Sequence, residues 1–407
     1  MYGNRQNRQK GSVSLFLVIL TALLVTTITV AFVRVMVKNQ DQALASDLSR
    51  SALDSAYAGV EDAKRAIVMY QENCEGGASA TGECVRLARA LTGAARCDTI
   101  QESGVAGSSG SDEVMIKRSE SSLADEQLQQ AYTCVKVLLN TMDFIGTVTP
   151  GVSRLVPLRS TEPIDSVTIE WFSQSDLQND LEGEGSGVDG IDLAEDTSLP
   201  PLAEWPRNRP ALLRAQLIQH GDSFKLNDFD ESIDADHTNG ATLFLMPSIA
   251  GAGGEADINL NFNLDARKQP SPSVLQEVRC DRSFSTTSTN GQYACRVTIK
   301  LPYPVGADDT NSRTAYLKVG ALYNMSTSFR VTLANGSEPV VFSSVQPEVD
   351  STGRANDLFR RVKSRIELDS SSIPYVEAAV DLTGGLCKTF RVTDRAEDFD
   401  PGACSIE

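Results

Sequence analysis

From residue 12 to residue 33 the chain runs for 22 residues without a charge, a glycine or a proline, its only polar side chains being serine and threonine hydroxyls. Such a run is long enough to cross a hydrocarbon core of roughly 30 Å as one helix. The helical signal then continues in a different form. From Ala43 to Ala66 there is no proline and one glycine, Gly59, and small or apolar residues recur at Ala45, Leu48, Ala52, Ala56, Gly59, Ala63 and Ala66. Spacings of three and four place these on one stripe of a helix. Asp47, Arg50, Asp54, Glu61, Asp62, Lys64 and Arg65 occupy the other faces. The pattern predicts one helix over residues 12–70, roughly 90 Å long at 1.5 Å per residue. Its part 12–37 reads as a membrane span and its part 38–70 as an amphipathic continuation.

Past that helix the period changes. Residues 71–150 read as a cysteine-containing region of mixed helix and loop, with helical pieces at 83–91 and 123–132. The glycine- and serine-rich stretch 103–111 between them reads as a flexible loop. From residue 165 onward alternation of apolar and polar positions dominates: Val167, Ile169 and Trp171; Leu213, Ala215 and Leu217; Cys295, Val297, Ile299 and Leu301; Phe329, Val331 and Leu333. Residues 257–264 alternate Ile258, Leu260, Phe262 and Leu264 with asparagines, as a strand with one wet face does. Residues 151–407 are therefore expected to form a β-rich domain. The predicted fold class is α+β, a long N-terminal helix packed on a disulfide-braced, mainly antiparallel β-rich globular domain.

Composition agrees with folded material. The chain has 407 residues, 41% of them hydrophobic and 22% charged, which is ordinary globular composition and enough for two domains. Its formal charge is −17. The leader, residues 1–11, holds Arg5, Arg8 and Lys10 and no acid, so the remainder carries −20. An acidic exterior repels phosphate backbones, which argues against nucleic acid as a partner of the surface as a whole. The densest basic cluster, Arg354, Arg360, Arg361, Lys363 and Arg365, alternates with apolar residues and reads as the wet face of a strand.

The cysteines are Cys74, Cys84, Cys97, Cys134, Cys280, Cys295, Cys387 and Cys404, an even number lying wholly beyond the span. None falls in a C-x-x-C motif, and His220 and His237 are the only histidines, so zinc has little support. Disulfides in an oxidising compartment are the simpler account. Eight cysteines allow 105 connectivities. Proximity in sequence favours Cys74 with Cys84, Cys97 with Cys134, Cys280 with Cys295 and Cys387 with Cys404, the first four remaining open to exchange. Each loop so closed is worth about 2 to 4 kcal/mol.

Three readings compete for the N-terminus. A cleaved secretory signal has an apolar core of about 7 to 15 residues and a small-x-small site close behind it. Here the run is longer, and Ala43-Leu44-Ala45 follows only after Arg34, Lys38 and Asp41. An uncleaved signal anchor fits the span equally well but leaves Gly11 unexplained. A charged leader, a glycine at the border, and an apolar run that continues into an alanine-rich helix together resemble a type IV prepilin. The match is to the large minor pilin or minor pseudopilin type, and it covers residues 5–70. The resemblance implies cleavage by a prepilin peptidase between Gly11 and Ser12. It also implies N-methylation of the new terminus and packing of the helix with other pilin subunits in a fibre core. The residues expected to occupy bilayer and fibre core are Val13, Leu15, Phe16, Leu17, Val18, Ile19, Leu20, Leu23, Leu24, Val25 and Ile28. Major pilins usually carry glutamate at the fifth mature position, where this chain has Phe16. A charge there is costly unless paired, and its loss fits a minor, tip-located subunit. Cys387 and Cys404 look like the C-terminal disulfide loop of many pilins. A weaker resemblance to the tail of some large minor pilins covers residues 353–387.

On this reading the protein is a non-catalytic subunit. Its partners are the membrane, the peptidase, other subunits and a surface ligand, and it uses no cofactor and no metal. The positive leader places the N-terminus in the cytoplasm and the remainder outside. Its destination is an extracellular pilus or the cell surface. Phosphate-loop, nucleophile-elbow and His-Glu-x-x-His motifs are absent from the sequence. Two acidic stretches invite a calcium reading. One comprises Asp176, Asp180, Glu182, Glu184, Asp189, Asp192, Glu195, Asp196 and Glu204, the other Asp228, Asp230, Glu231, Asp234 and Asp236. Neither has the EF-hand spacing, and solvated acidic loops are the expectation. The rival functional classes are an uncleaved single-pass surface binding protein and, third, an enzyme anchored outside the membrane.

Overall fold

A computed structural model describes residues 10–74, 82–106, 113–116, 129–177, 188, 190–191, 199, 201, 204–220, 240–248, 258–261, 275–281, 284, 293–306, 314–323 and 326–367. Its helices are α1 (Lys10–Asn73), α2 (Gly82–Thr92) and α3 (Thr99–Ser103). The strands before the midpoint are β1 (Val114–Met115), β2 (Ala131–Leu138), β3 (Asp143–Val148), β4 (Ser153–Pro157) and β5 (Ile164–Ser173). There follow β6 (Leu213–His220), β7 (Gly240–Ser248), β8 (Ile258–Asn261), β9 (Leu275–Arg279) and β10 (Tyr293–Val305). The last are β11 (Thr314–Ala321), β12 (Thr327–Asn335), β13 (Glu338–Val340), β14 (Glu348–Ala355) and β15 (Leu358–Arg365). The class is α+β, with a long apolar N-terminal helix and mainly antiparallel sheet.

The chain divides into two compact units, one of residues 1–137 with 349–364, the other of residues 138–348 with 365–407. This division takes the hairpin strands near residue 355 into the helical unit, whereas the alternation in the sequence predicts one β-rich block from residue 151.

In the first unit a four-stranded sheet of order β1-β2-β14-β15 carries α1. The helix has the absence of proline and the alanine content that a long helix needs, and its outer half buries Ala52, Ser55, Ala56, Gly59, Ala63, Ala66 and Ile67. Ala45, counted in the same stripe from sequence, is exposed, and burial is complete only from Ala52. Small residues are required because helix and sheet meet almost backbone to backbone. A Cβ on Gly353 of β14 would lie 2.7 Å from the Ser55 carbonyl carbon and closer still to the Ala52 carbonyl oxygen and the Ala56 nitrogen. One on Gly59 would lie 2.8 Å from Val135 Cγ2 and closer still to Ser351 Oγ. Beside this contact Tyr132 donates its hydroxyl to Asp62 Oδ2 at 2.8 Å. Cys74–Cys84 joins the end of α1 to α2, and Cys97–Cys134 joins the segment before α3 to β2.

The second unit is a β-sandwich. One sheet runs β13-β12-β5-β10-β8 with β3 also paired to β12, and the other runs β4-β11-β6-β7-β9. Pairing is antiparallel except β8 with β10 and β9 with β7. Register sets the core: Trp171 of β5 stands opposite Phe329 of β12 and Cys295 of β10, and Ile169 opposite Val331 and Val297. All six are fully buried, and share one core with Leu213, Leu217, Leu243, Leu317 and Val319 of the other sheet. Cys280–Cys295 ties the end of β9 to β10. At the flank of β3 the buried Gln346 accepts the Ile145 N–H at 3.0 Å and donates to the Ile145 carbonyl at 2.8 Å, as a neighbouring strand would.

The alternating runs predicted around Trp171, Ala215, Val297 and Val331 are the buried rows of β5, β6, β10 and β12. The helical piece at 83–91 lies within α2. The helix expected over 123–132 does not form at its C-terminal end, because Ala131 and Tyr132 pair with Met115 and Val114 as strand. Its residues 123–128 lie outside the described residues, as do 262–264 of the expected strand at 257–264, while Ile258 and Leu260 fall in β8. Cys387 and Cys404 also lie outside them.

Candidate functional site

The inner half of α1 is the candidate site. Its backbone is helical from Lys10, so Gly11, Ser12 and Val13 lie in the first turn. Leu15, Phe16, Leu17, Val18, Ile19, Leu20, Leu23, Leu24, Val25 and Ile28 follow on every face, each between 50% and 76% exposed. No described residue covers them. Burying ten such side chains is worth on the order of 20 kcal/mol, more than the whole stability of an ordinary domain. An apolar surface of this size is costly to leave in water.

Its threonine side chains are satisfied within the helix. Thr21 donates to the Val18 carbonyl at 3.0 Å, Thr26 to Leu23 at 2.9 Å, Thr27 to Leu24 at 2.9 Å and Thr29 to Val25 at 2.8 Å. Hydroxyls bonded back to the preceding turn present little that needs water. The apolar pattern passes over these bonds, although threonine inside a helix is a residue that can make them. The described part of α1 from Leu15 is long and apolar enough to cross a membrane.

Among the described residues, Asp176 and the arginines of the basic cluster find structural uses. Asp176 accepts from the Ser173 N–H at 2.8 Å, the Ser328 N–H at 2.9 Å and Ser328 Oγ at 3.1 Å. It clamps the end of β5 to the start of β12. Among the described residues no group of three or more His, Cys, Asp or Glu is placed to hold a metal ion. Apart from Asp176 and Glu204, the acids of both stretches lie outside those residues. The basic cluster does fall on strands, and its arginines have partners. Arg354 pairs with Glu113, Arg361 with Asp350, and Arg365 with Asp143 and Glu348, while Arg360 donates to Ser49. The hydrogen bond from Arg361 holds the Asp350 carboxyl below the usual aspartate range, against its partial burial.

No protein-family model matches the chain, and comparison with curated proteins and with solved structures returns no match.

Proposed function

We propose that the protein is a minor, type IV pilin-like subunit: inserted in the membrane by α1, cut between Gly11 and Ser12, and assembled at low copy into a pilus or related filament. The observation that carries this reading is the division of α1. One continuous helix is bare and apolar on every face over Leu15–Ile28, then buries Ala52, Ala56, Ala63 and Ala66 against its own sheet.

In this mechanism the bare half is held first by lipid and later by the helices of neighbouring subunits, so that one apolar surface serves two surroundings in turn. Phe16 leaves the fibre core without a charge to pair, which suits a subunit that has no neighbour to dock behind. The remainder lies outside the membrane, where the disulfides form, and the β-sandwich is the part offered for initiating assembly or for adhesion. A permanent signal-anchored binding protein would use the same span with its leader intact.

Mass spectrometry of the N-terminus of protein recovered from its own cells separates the two. The expected product begins at methylated Ser12 and is lost in Gly11→Ala. An intact Met1 terminus in the wild type would overturn the pilin reading in favour of the anchor.

A further inference from the structure

The hairpin joining β12 and β13 turns on Gly336 and Ser337, with Asn335 and Glu338 as its last ladder pair. Gly336 takes a φ of 60° and donates its N–H to Asp165 Oδ1 at 3.0 Å. The positive φ is the conformation glycine adopts without strain at the first central position of a hairpin turn. Asn335, Gly336, Ser337, Glu338 and Pro339 are all exposed. Asn335-Gly336-Ser337 is also an Asn-x-Ser tripeptide with x other than proline, the acceptor pattern for N-linked sugar.

We propose that Asn335 is a glycosylation site whose donor is an oligosaccharide carried on a lipid pyrophosphate. The proposal rests on the reading that this unit lies outside the membrane. In the transfer, Asn335 Nδ2 forms a bond to the anomeric carbon of the donor sugar and loses one proton to the transferase. The bond from that carbon to the pyrophosphate oxygen breaks, and the lipid pyrophosphate leaves with the electron pair. The geometry suits this chemistry in two ways. The turn is held by its own ladder pair and by Asp165, so the fold does not depend on the Asn335 side chain being bare. The tip is exposed over five consecutive residues, which leaves room for a bulky polar group of the kind such sites carry on a surface. Asn324, which opens the second tripeptide of this pattern, lies outside the described residues.

The test is mass spectrometry of the tryptic peptide 331–354 from full-length protein in its native membrane fraction, with Asn335→Gln, Ser337→Ala and Ser337→Thr alongside. The expected result is a saccharide mass on Asn335 that is absent from the first two variants and kept in the third. Bare Asn335, or its conversion to aspartate alone, overturns the proposal. The redox state of Cys280 and Cys295 in the same sample distinguishes the failures. An intact disulfide with bare Asn335 removes the glycan only, whereas free thiols remove the external placement as well.

Discussion

At the residue scale two glycines decide how α1 meets its sheet. Gly353 is not selected by its backbone angle; it is required because any Cβ would enter the main chain of α1 at Ala52 and Ala56. Gly59 answers it from the helix side, where a Cβ would strike Ser351 and Val135. Backbone cannot yield as a side-chain tip can, so Gly353→Ala is expected to lower the stability of the first unit by about 2 kcal/mol or more. Thermal unfolding of detergent-solubilised protein checks this, and Gly82→Ala, whose Cβ would meet nothing within 4 Å, is the control expected to melt as the wild type does. Asp176 shows the opposite relation between residue and fold. In sequence it is one acid among many in a stretch that invites a cation, and in the fold it is a clamp for the backbone N–H groups of Ser173 and Ser328.

At the element scale α1 carries two kinds of surface on one unbroken backbone, bare and apolar over Leu15–Ile28 and buried against its own sheet from Ala52. On the proposed reading that the apolar half lies in a bilayer it tolerates no charge, since an arginine at a bilayer centre costs about 3 kcal/mol on insertion scales. Leu23→Arg is therefore expected to reduce the membrane-integrated fraction, measured by carbonate extraction of cell membranes. Leu23→Ile should leave that fraction unchanged. The replacement of expected helix by strand at residues 131–132 belongs to this scale as well. A short run containing alanine, tyrosine and glutamine has no strong preference of its own, and the pairing of Tyr132 with Val114 and its hydrogen bond to Asp62 settled it as strand.

At the scale of the whole molecule the strands of the sandwich, β3 to β13, are inserted in the chain between β2 and β14. The chain leaves the first unit's sheet at the end of β2 and re-enters it at β14, the strand beside β2. Each unit has its own buried core, so calorimetry of the intact protein is expected to show two unfolding transitions. Cys280–Cys295 closes a loop of 15 residues inside the sandwich alone, and removing such a link costs about 3 kcal/mol. The double variant Cys280→Ser, Cys295→Ser should lower one transition and leave the other in place. The sequence by itself determined what local physics dictates. It specified the long apolar helix, because a run of 22 uncharged residues without glycine or proline has one stable state in lipid, and the buried rows of β5, β6, β10 and β12, because a half-buried strand must alternate. Proximity in sequence favoured Cys280 with Cys295, as found, whereas the exchange left open among Cys74, Cys84, Cys97 and Cys134 was decided by the fold as Cys74–Cys84 and Cys97–Cys134. Only the tertiary structure decided that residues 349–364 return to the helix-bearing sheet, that Gly353 sits against α1 and that Gln346 lines the edge of β3. Those contacts join residues some 200 to 300 positions apart, and no periodicity within a segment records which distant segment will lie beside it.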